Sequence, residues 1–277
     1  MLGQFIIIVR EGFEAVLIIS LILAYLDRIK RRDLFRYVWY GISIAVLMSL
    51  VAGSLVWLLF GTIPIHVQGL FEGIVAWLAA IVISWMVYWM ATRGRNIRND
   101  VLERIELITT HGAVIELTSL SFLAVFREGM ESVLFLIPFF LNEPLDTLIG
   151  SFLGGFVAFL LAYLIFNLGL RIDLHDFFYF TSILLLLLAG GLVGYGTHEI
   201  IEYLEYSGVR LGWLAEDAYV LPITSDSPMH HKNVVGSILA VMFGYSVRAE
   251  WARVILHLTY LAVSMYVITR TYRKNML

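Results

Sequence analysis

Long apolar runs, each about as long as a membrane is thick, divide this chain. Seven of them reach the roughly 20 residues that a helix needs to cross the hydrocarbon core of a bilayer. They are Leu2–Leu26, Val38–Phe60, Val67–Met90, Leu117–Leu141, Thr147–Leu170, Phe180–Leu204 and Trp251–Tyr272. Their length is that of helices, not of the alternating segments of about ten residues that build a barrel. An eighth stretch, "NVVGSILAVMFGYS" (Asn233–Ser246), is too short to cross and predicts an interfacial or re-entrant helix. The first run has no basic leader and carries Arg10, Glu11 and Glu14, so no cleavable signal peptide is expected. The pattern predicts an all-α integral membrane protein with seven transmembrane helices in one domain spanning 1–277.

Composition agrees. Hydrophobic residues make up 60% of the 277 and charged residues only 15%, against roughly 45–50% and about 25% in soluble domains. The net charge of −3 gives no footprint for nucleic acid. There is no cysteine, which excludes disulfides and thiolate metal sites. The nine methionines show no pore-like spacing, which disfavours a soft-metal path.

Lysine and arginine orient the runs, because cytoplasmic loops are enriched in them. Arg28, Lys30, Arg31, Arg32 and Arg36 follow the first run; Arg93, Arg95, Arg98 and Arg104 follow the third; Arg171 follows the fifth; Arg270, Arg273 and Lys274 close the chain. Gly61–His66 and Asn142–Asp146 have none, and the long Glu205–Glu250 connection has three. The expected protein is multi-pass in the cell membrane, with its N-terminus outside and its C-terminus cytoplasmic. Trp39, Tyr40, Trp85, Tyr88, Trp89 and Trp251 cluster near run ends, as interfacial anchors do.

Charge inside the runs adds the chemistry. "REGFEAVLII" begins at Arg10 and "REGMESVLFL" at Arg127, with six of ten positions identical. The first copy runs outside to inside and the second inside to outside, so the repeat is inverted. Three runs (1–92) are followed by three more (113–204), then an outer loop (205–249) and a seventh span (250–272). Inverted repeats mark transporters whose sites lie near the midplane. Counted from the outer ends, Glu11 and Glu14 are tenth and thirteenth, and Glu131 and Glu128 eleventh and fourteenth.

Residues three and four apart share a helix face, so each pair of glutamates stacks and each arginine reaches one of them. A charge at the bilayer centre costs at least about 2.5–3.5 kcal/mol, so these groups must face each other or a hydrated path. Four carboxylates and two guanidinium groups leave a formal surplus of two negative charges, which suits a hard cation. A structural double salt bridge is the plainer reading, but it leaves one glutamate per motif unexplained. Gly12 and Gly129, inside the motifs, let another helix approach closely.

On these residues the chain resembles the high-affinity iron permeases, which include the fungal oxidase-linked and the bacterial Efe-type permeases. That family carries an Arg-Glu-x-x-Glu motif in its first and fourth spans. "FEGIVAWLAAIVISWMVYWM" (Phe71–Met90), "AVFREGMESVLFL" (Ala124–Leu136) and "FGY" (Phe243–Tyr245) are similar as well. The resemblance implies import of iron, Fe2+ or Fe3+, into the cytoplasm. Glu11, Glu14, Glu128 and Glu131 would be its metal-handling carboxylates, and Arg10 and Arg127 their support. It also implies an oxidase or an extracytoplasmic iron-delivery protein as a partner, and no bound cofactor. The loop "WLAEDAYVLPITSDSPMHHK" (Trp213–Lys232) departs from the family pattern.

Other ionisable residues carry two readings each. Glu72, His198, Glu199 and Glu202 stand at outer run ends, as an outer vestibule or as solvated polar positions. Glu143, Asp146, Glu216, Asp217 and Asp226 make the outer face acidic, which would concentrate cations; for any one of them, loop solubility suffices. His230 and His231 either capture metal or are solvated. Glu106, His111 and Glu116 either serve exit or flank a span, and His257 reads as a packed histidine. A transporter of another divalent metal, such as lead or manganese, fits the same scaffold. A retinal receptor does not, since no lysine lies within a run. No nucleophile–base or zinc-hydrolase motif points to an enzyme; "HEIIE" (His198–Glu202) is not a zinc-protease signature.

Overall fold

The computed structural model describes residues 1–60, 63–93, 105, 114–168, 174–224, 227, 229, 236, 239, 240 and 243–275. Among these are seven long helices: α1 (Leu2–Arg28), α2 (Phe35–Phe60), α3 (Ile65–Arg93), α4 (Val114–Asn142), α5 (Pro144–Leu168), α6 (Leu174–Tyr206) and α7 (Trp251–Asn275). Each contains one of the seven apolar runs, or nearly all of it. Most extend past it, because a helix continues into polar flanking residues until a cap or a proline stops it. Pro144 opens α5 at a first-turn position, where its missing N–H costs nothing.

Five helices, α2, α3, α5, α6 and α7, are apolar and long enough to cross a membrane. The other two, α1 and α4, miss that measure because of the three motif charges that each carries. The chain is an all-α, multi-pass membrane protein.

Packing is mostly between the first three helices and the next three. α1 lies along α5, α2 along α4, and α3 along α6, while α1 also crosses α4 and α7 packs on α6 and α3. By contrast, α1 barely touches α2. Small side chains bring α3 and α6 together: a Cβ on Gly73 would stand 2.8 Å from the Gly196 carbonyl, and one on Gly196 2.8 Å from the Gly73 carbonyl. Ala76, Ala79, Ala80 and Ala189 continue this seam through the buried core, the contact style of helices packed in lipid.

The connection between α6 and α7 holds a feature the apolar pattern does not announce. β1 (Asp217–Val220) pairs antiparallel with β2 (Arg248–Glu250), and an Arg248–Asp217 ion pair joins the strands. Half of Asn233–Ser246, the expected short helix, lies outside the described residues, and Gly236, Leu239, Ala240 and Phe243 within it are helical. Its last residues, Gly244–Ser246, are not helical. Gly244 has φ +63°, and a Cβ there would collide with the His257 ring.

Candidate metal centre

The crossing of α1 and α4 brings the two motifs together. One carboxylate oxygen from each of Glu11, Glu128 and Glu131 lies within 4.8 Å of the others. Glu14 stands outside that group, drawn to Arg10, whose Nη2 is 3.1 Å from Glu14 Oε1. Arg10 Nη1 also donates to Glu11 Oε1 at 2.9 Å, a contact to its chain neighbour that i,i+4 spacing does not suggest. On the other helix, Arg127 Nε donates to Glu131 Oε1 at 2.9 Å and stands 3.9 Å from Glu128 Oε1.

The arginines are not equivalent. The Arg10 side chain is 0% exposed and rests against Met86 of α3. The Arg127 side chain is 46% exposed and lies 4.8 Å above the Trp89 ring of α3, at cation–π distance. Sequence reasoning missed both Met86 and Trp89, which read only as members of an apolar run.

Glu11, Glu128 and Glu131 each keep one buried oxygen, Oε2, without a hydrogen-bond partner. Buried polar atoms are nearly always paired, and three converging carboxylates repel unless a cation or protons offset them. The donor set is all oxygen, which suits a hard or intermediate cation.

The motif glycines work as close-packing positions, but against other helices than the opposite motif. A Cβ on Gly12 would stand 3.0 Å from Ala158 of α5, and one on Gly129 2.9 Å from Ser49 Cβ of α2. A cavity of about 710 Å³ lies among α1, α2, α4 and α5 and reaches Glu11 and Glu128. Its walls are mainly apolar, with hydroxyls at Ser49, Ser54, Ser132, Thr147 and Ser151.

A second group of ligand-type residues sits at the far end of α6. His198, Glu199 and Glu202 offer one ligand atom each within 4.8 Å. His198 Nδ1 is 2.8 Å from Oε1 of Glu250, a β2 residue that sequence reasoning missed because nothing distinguishes it from an ordinary acid before a span. The His198 hydrogen bond and a backbone N–H outweigh burial and hold the Glu250 carboxyl below its ordinary value. Glu72 of α3 accepts a hydrogen bond from Tyr195 and interacts with Glu199. None of the four expected vestibule residues lines the 710 Å³ cavity.

The remaining candidates disperse. Asp217 is tied to Arg248, Glu116 is exposed, and His257 Nδ1 bonds the Gly190 carbonyl oxygen at 2.7 Å. Glu143, Asp146 and Glu216 join neither group. Glu106, His111, Asp226, His230 and His231 lie outside the described residues.

Comparison with known proteins puts a family to this arrangement. An uncharacterized protein of Archaeoglobus fulgidus is 42% identical over 272 residues, covering 98% of this chain and 96% of its own. A ferrous iron permease EfeU of Yersinia pestis is 32% identical over 264 residues, covering 94% and 90%. One of Escherichia coli O6:H1 is 37% identical over 195 residues, covering 69% and 71%. No solved structure matches the chain. The model of the iron permease FTR1 family matches residues 1–270, and with both motifs meeting at one buried carboxylate cluster, this membrane protein belongs to that iron-transport family.

Proposed function

We propose that this chain imports iron into the cytoplasm through the carboxylates where α1 and α4 cross. The observation that carries the reading is the convergence of Glu11, Glu128 and Glu131, each with an unpartnered buried oxygen. Glu14 and Arg10 fix the Glu11 side of the site, and Arg127 positions Glu131. The ion is ferrous, by analogy with the relatives named ferrous iron permeases.

Seven helices cross the membrane, with α1 to α3 and α4 to α6 forming an inverted repeat. Exchange of the two halves, α1 for α4, α2 for α5 and α3 for α6, supports this. It turns the α1–α5 pair into α4–α2, and leaves α3–α6 and α1–α4 unchanged, as packed. The motif glycines follow suit, Gly12 meeting α5 and Gly129 meeting α2. Alternating access around such a site is the usual mode of inverted-repeat carriers. The Lys/Arg alternation puts the N-terminus outside and the C-terminus in the cytoplasm.

The test is uptake of radiolabelled iron into vesicles by Glu11→Gln and Glu131→Gln variants inserted at normal levels. Losing a charged ligand interaction of about 1.5–3 kcal/mol weakens ion binding roughly 10- to 150-fold, so uptake at low iron should collapse. Undiminished uptake would overturn the site. An all-oxygen donor set also accepts manganese(II). Manganese transport outcompeting iron in the same vesicles would favour the reading as a carrier of another divalent metal.

A further inference from the structure

We infer that His198, Glu199 and Glu202 form a second metal site on the outer face, one that takes a divalent transition-metal ion, with Glu250 holding its imidazole in place. That the ion is iron rests on the transport reading above; the site itself does not.

The geometry starts from Glu250. Its side chain is 8% exposed, with Oε1 on His198 Nδ1 and Oε2 buried without a partner. A carboxylate facing Nδ1 favours the proton there, and in the neutral ring Nε2 then keeps its lone pair for a metal. Nε2 faces Glu202, 4.0 Å from its Oε2, with a Glu199 oxygen completing the group. Carboxylate, histidine and metal in series is the usual support for a ligating imidazole. Metal–ligand distances of about 2.0–2.2 Å put neighbouring ligand atoms roughly 3–4 Å apart, so a modest side-chain rotation closes this group on an ion. The pairing holds two strands and two helices in one place, since Glu250 joins β2 to α7 and its backbone pairs with Asp217 of β1.

Surrounding charges fit. Glu72 adds a carboxylate beside Glu199, which offsets the positive charge that Arg253 of α7 brings to Glu250 and Glu199. One imidazole and two carboxylates form a mixed nitrogen–oxygen set, which suits iron(II), manganese(II) or cobalt(II) better than calcium or magnesium. The α1–α4 site has only oxygen. The two sites in series would therefore read different chemistry: the outer one rejects the abundant hard cations that the inner one could hold. The competing structure is a protonated His198 bridging Glu250 and Glu202 as an ion triad with no metal.

The experiment uses full-length protein in lipid nanodiscs, manganese(II) as the probe, and pulsed electron paramagnetic resonance. A Glu11→Gln/Glu131→Gln variant removes the carboxylate site. The expected result is a bound manganese with one 14N coupling in this background, lost on adding His198→Ala. Glu202→Gln should weaken binding while keeping the coupling, and Glu250→Gln should weaken it about 10- to 100-fold, as loss of a ligand's support does. Absence of bound manganese in the background variant, or a coupling that survives His198→Ala, would overturn the proposal. The outcome is separable from the transport reading: iron uptake that persists in Glu11→Gln/Glu131→Gln defeats the inner site and leaves the 14N result standing.

Discussion

The two motifs share their letters but not their surroundings. Around α1, Arg10 is sealed, and Phe13 is 1% exposed against Phe177 of α6 at 4.6 Å between ring centres. Around α4, Arg127 is half open, and Met130, at the position of Phe13, is 36% exposed. The α1 copy is enclosed by α3 and α6; the α4 copy presents one side to the outside of the bundle. A duplicated sequence thus yields a site with one fixed half and one accessible half.

The strongest way to break the comparison is to remove each arginine. Arg10→Ala leaves Glu11 and Glu14 buried without their cation, a loss of about 3–5 kcal/mol for a broken buried pair. Folded yield on size-exclusion chromatography should fall sharply. Arg127→Ala removes a half-exposed pair and a ring contact, together about 1 kcal/mol. That variant should fold and transport less iron. Equal losses of yield would erase the distinction between the halves.

Glycine variants sharpen it in the opposite direction. Gly129→Ala drives a Cβ into Ser49, whose hydroxyl is already bonded to the Ala45 carbonyl oxygen, at about 1–3 kcal/mol for an overpacked contact. Gly12→Ala meets only the Ala158 methyl and should cost less. Thermal unfolding in detergent measures both, and Ser49→Gly should restore the Gly129→Ala protein. A smaller effect is expected for Trp89→Ala, which deprives Arg127 of a ring contact of about 0.5–1 kcal/mol. Its counterpart at Met86 should perturb the sealed arginine more.

The smallest effect is one of pH, away from both motifs. Because the folded Glu250 carboxyl lies below its ordinary value, its bond to His198 stabilises fully above about 4.3, the unfolded value. That contribution is lost as pH falls through the lower folded value. Hydrogen exchange at the Trp251 amide, which donates to the Glu216 carbonyl oxygen, should quicken over that range, and Glu250→Gln should abolish the dependence.

Much of the site was legible in the sequence. Seven runs gave seven helices, five of them long and apolar enough to cross a membrane. The paired motifs led to the expectation that Glu11, Glu14, Glu128 and Glu131 meet, and three of them, Glu11, Glu128 and Glu131, lie together. The inequality of Arg10 and Arg127 was not legible, since it depends on Met86 and Trp89. These are apolar residues of a helix that is apolar nearly all round, so no periodicity marks which face meets an arginine. That Glu14 stands outside the group of three, while still interacting with Glu11, Glu128 and Glu131, was equally hidden, because spacing allows Arg10 to choose either glutamate and the fold gives it both. Strands of four and three residues are too short to carry a pattern, so β1, β2 and the role of Glu250 emerged only from tertiary contacts.

The interlacing of α1 with α5 and α2 with α4 has a consequence for biogenesis. The first three helices find their main partners only after the fourth, fifth and sixth have been made. While the ribosome is still at α3, the Arg10 cluster has no Glu128 or Glu131 beside it and α1 has no α5 to lie on. The nascent half must wait in the bilayer, held by insertion machinery or by the hydration of its own charges. A chain cut between α3 and α4 should accordingly give two fragments that are degraded when made alone and rescued when made together.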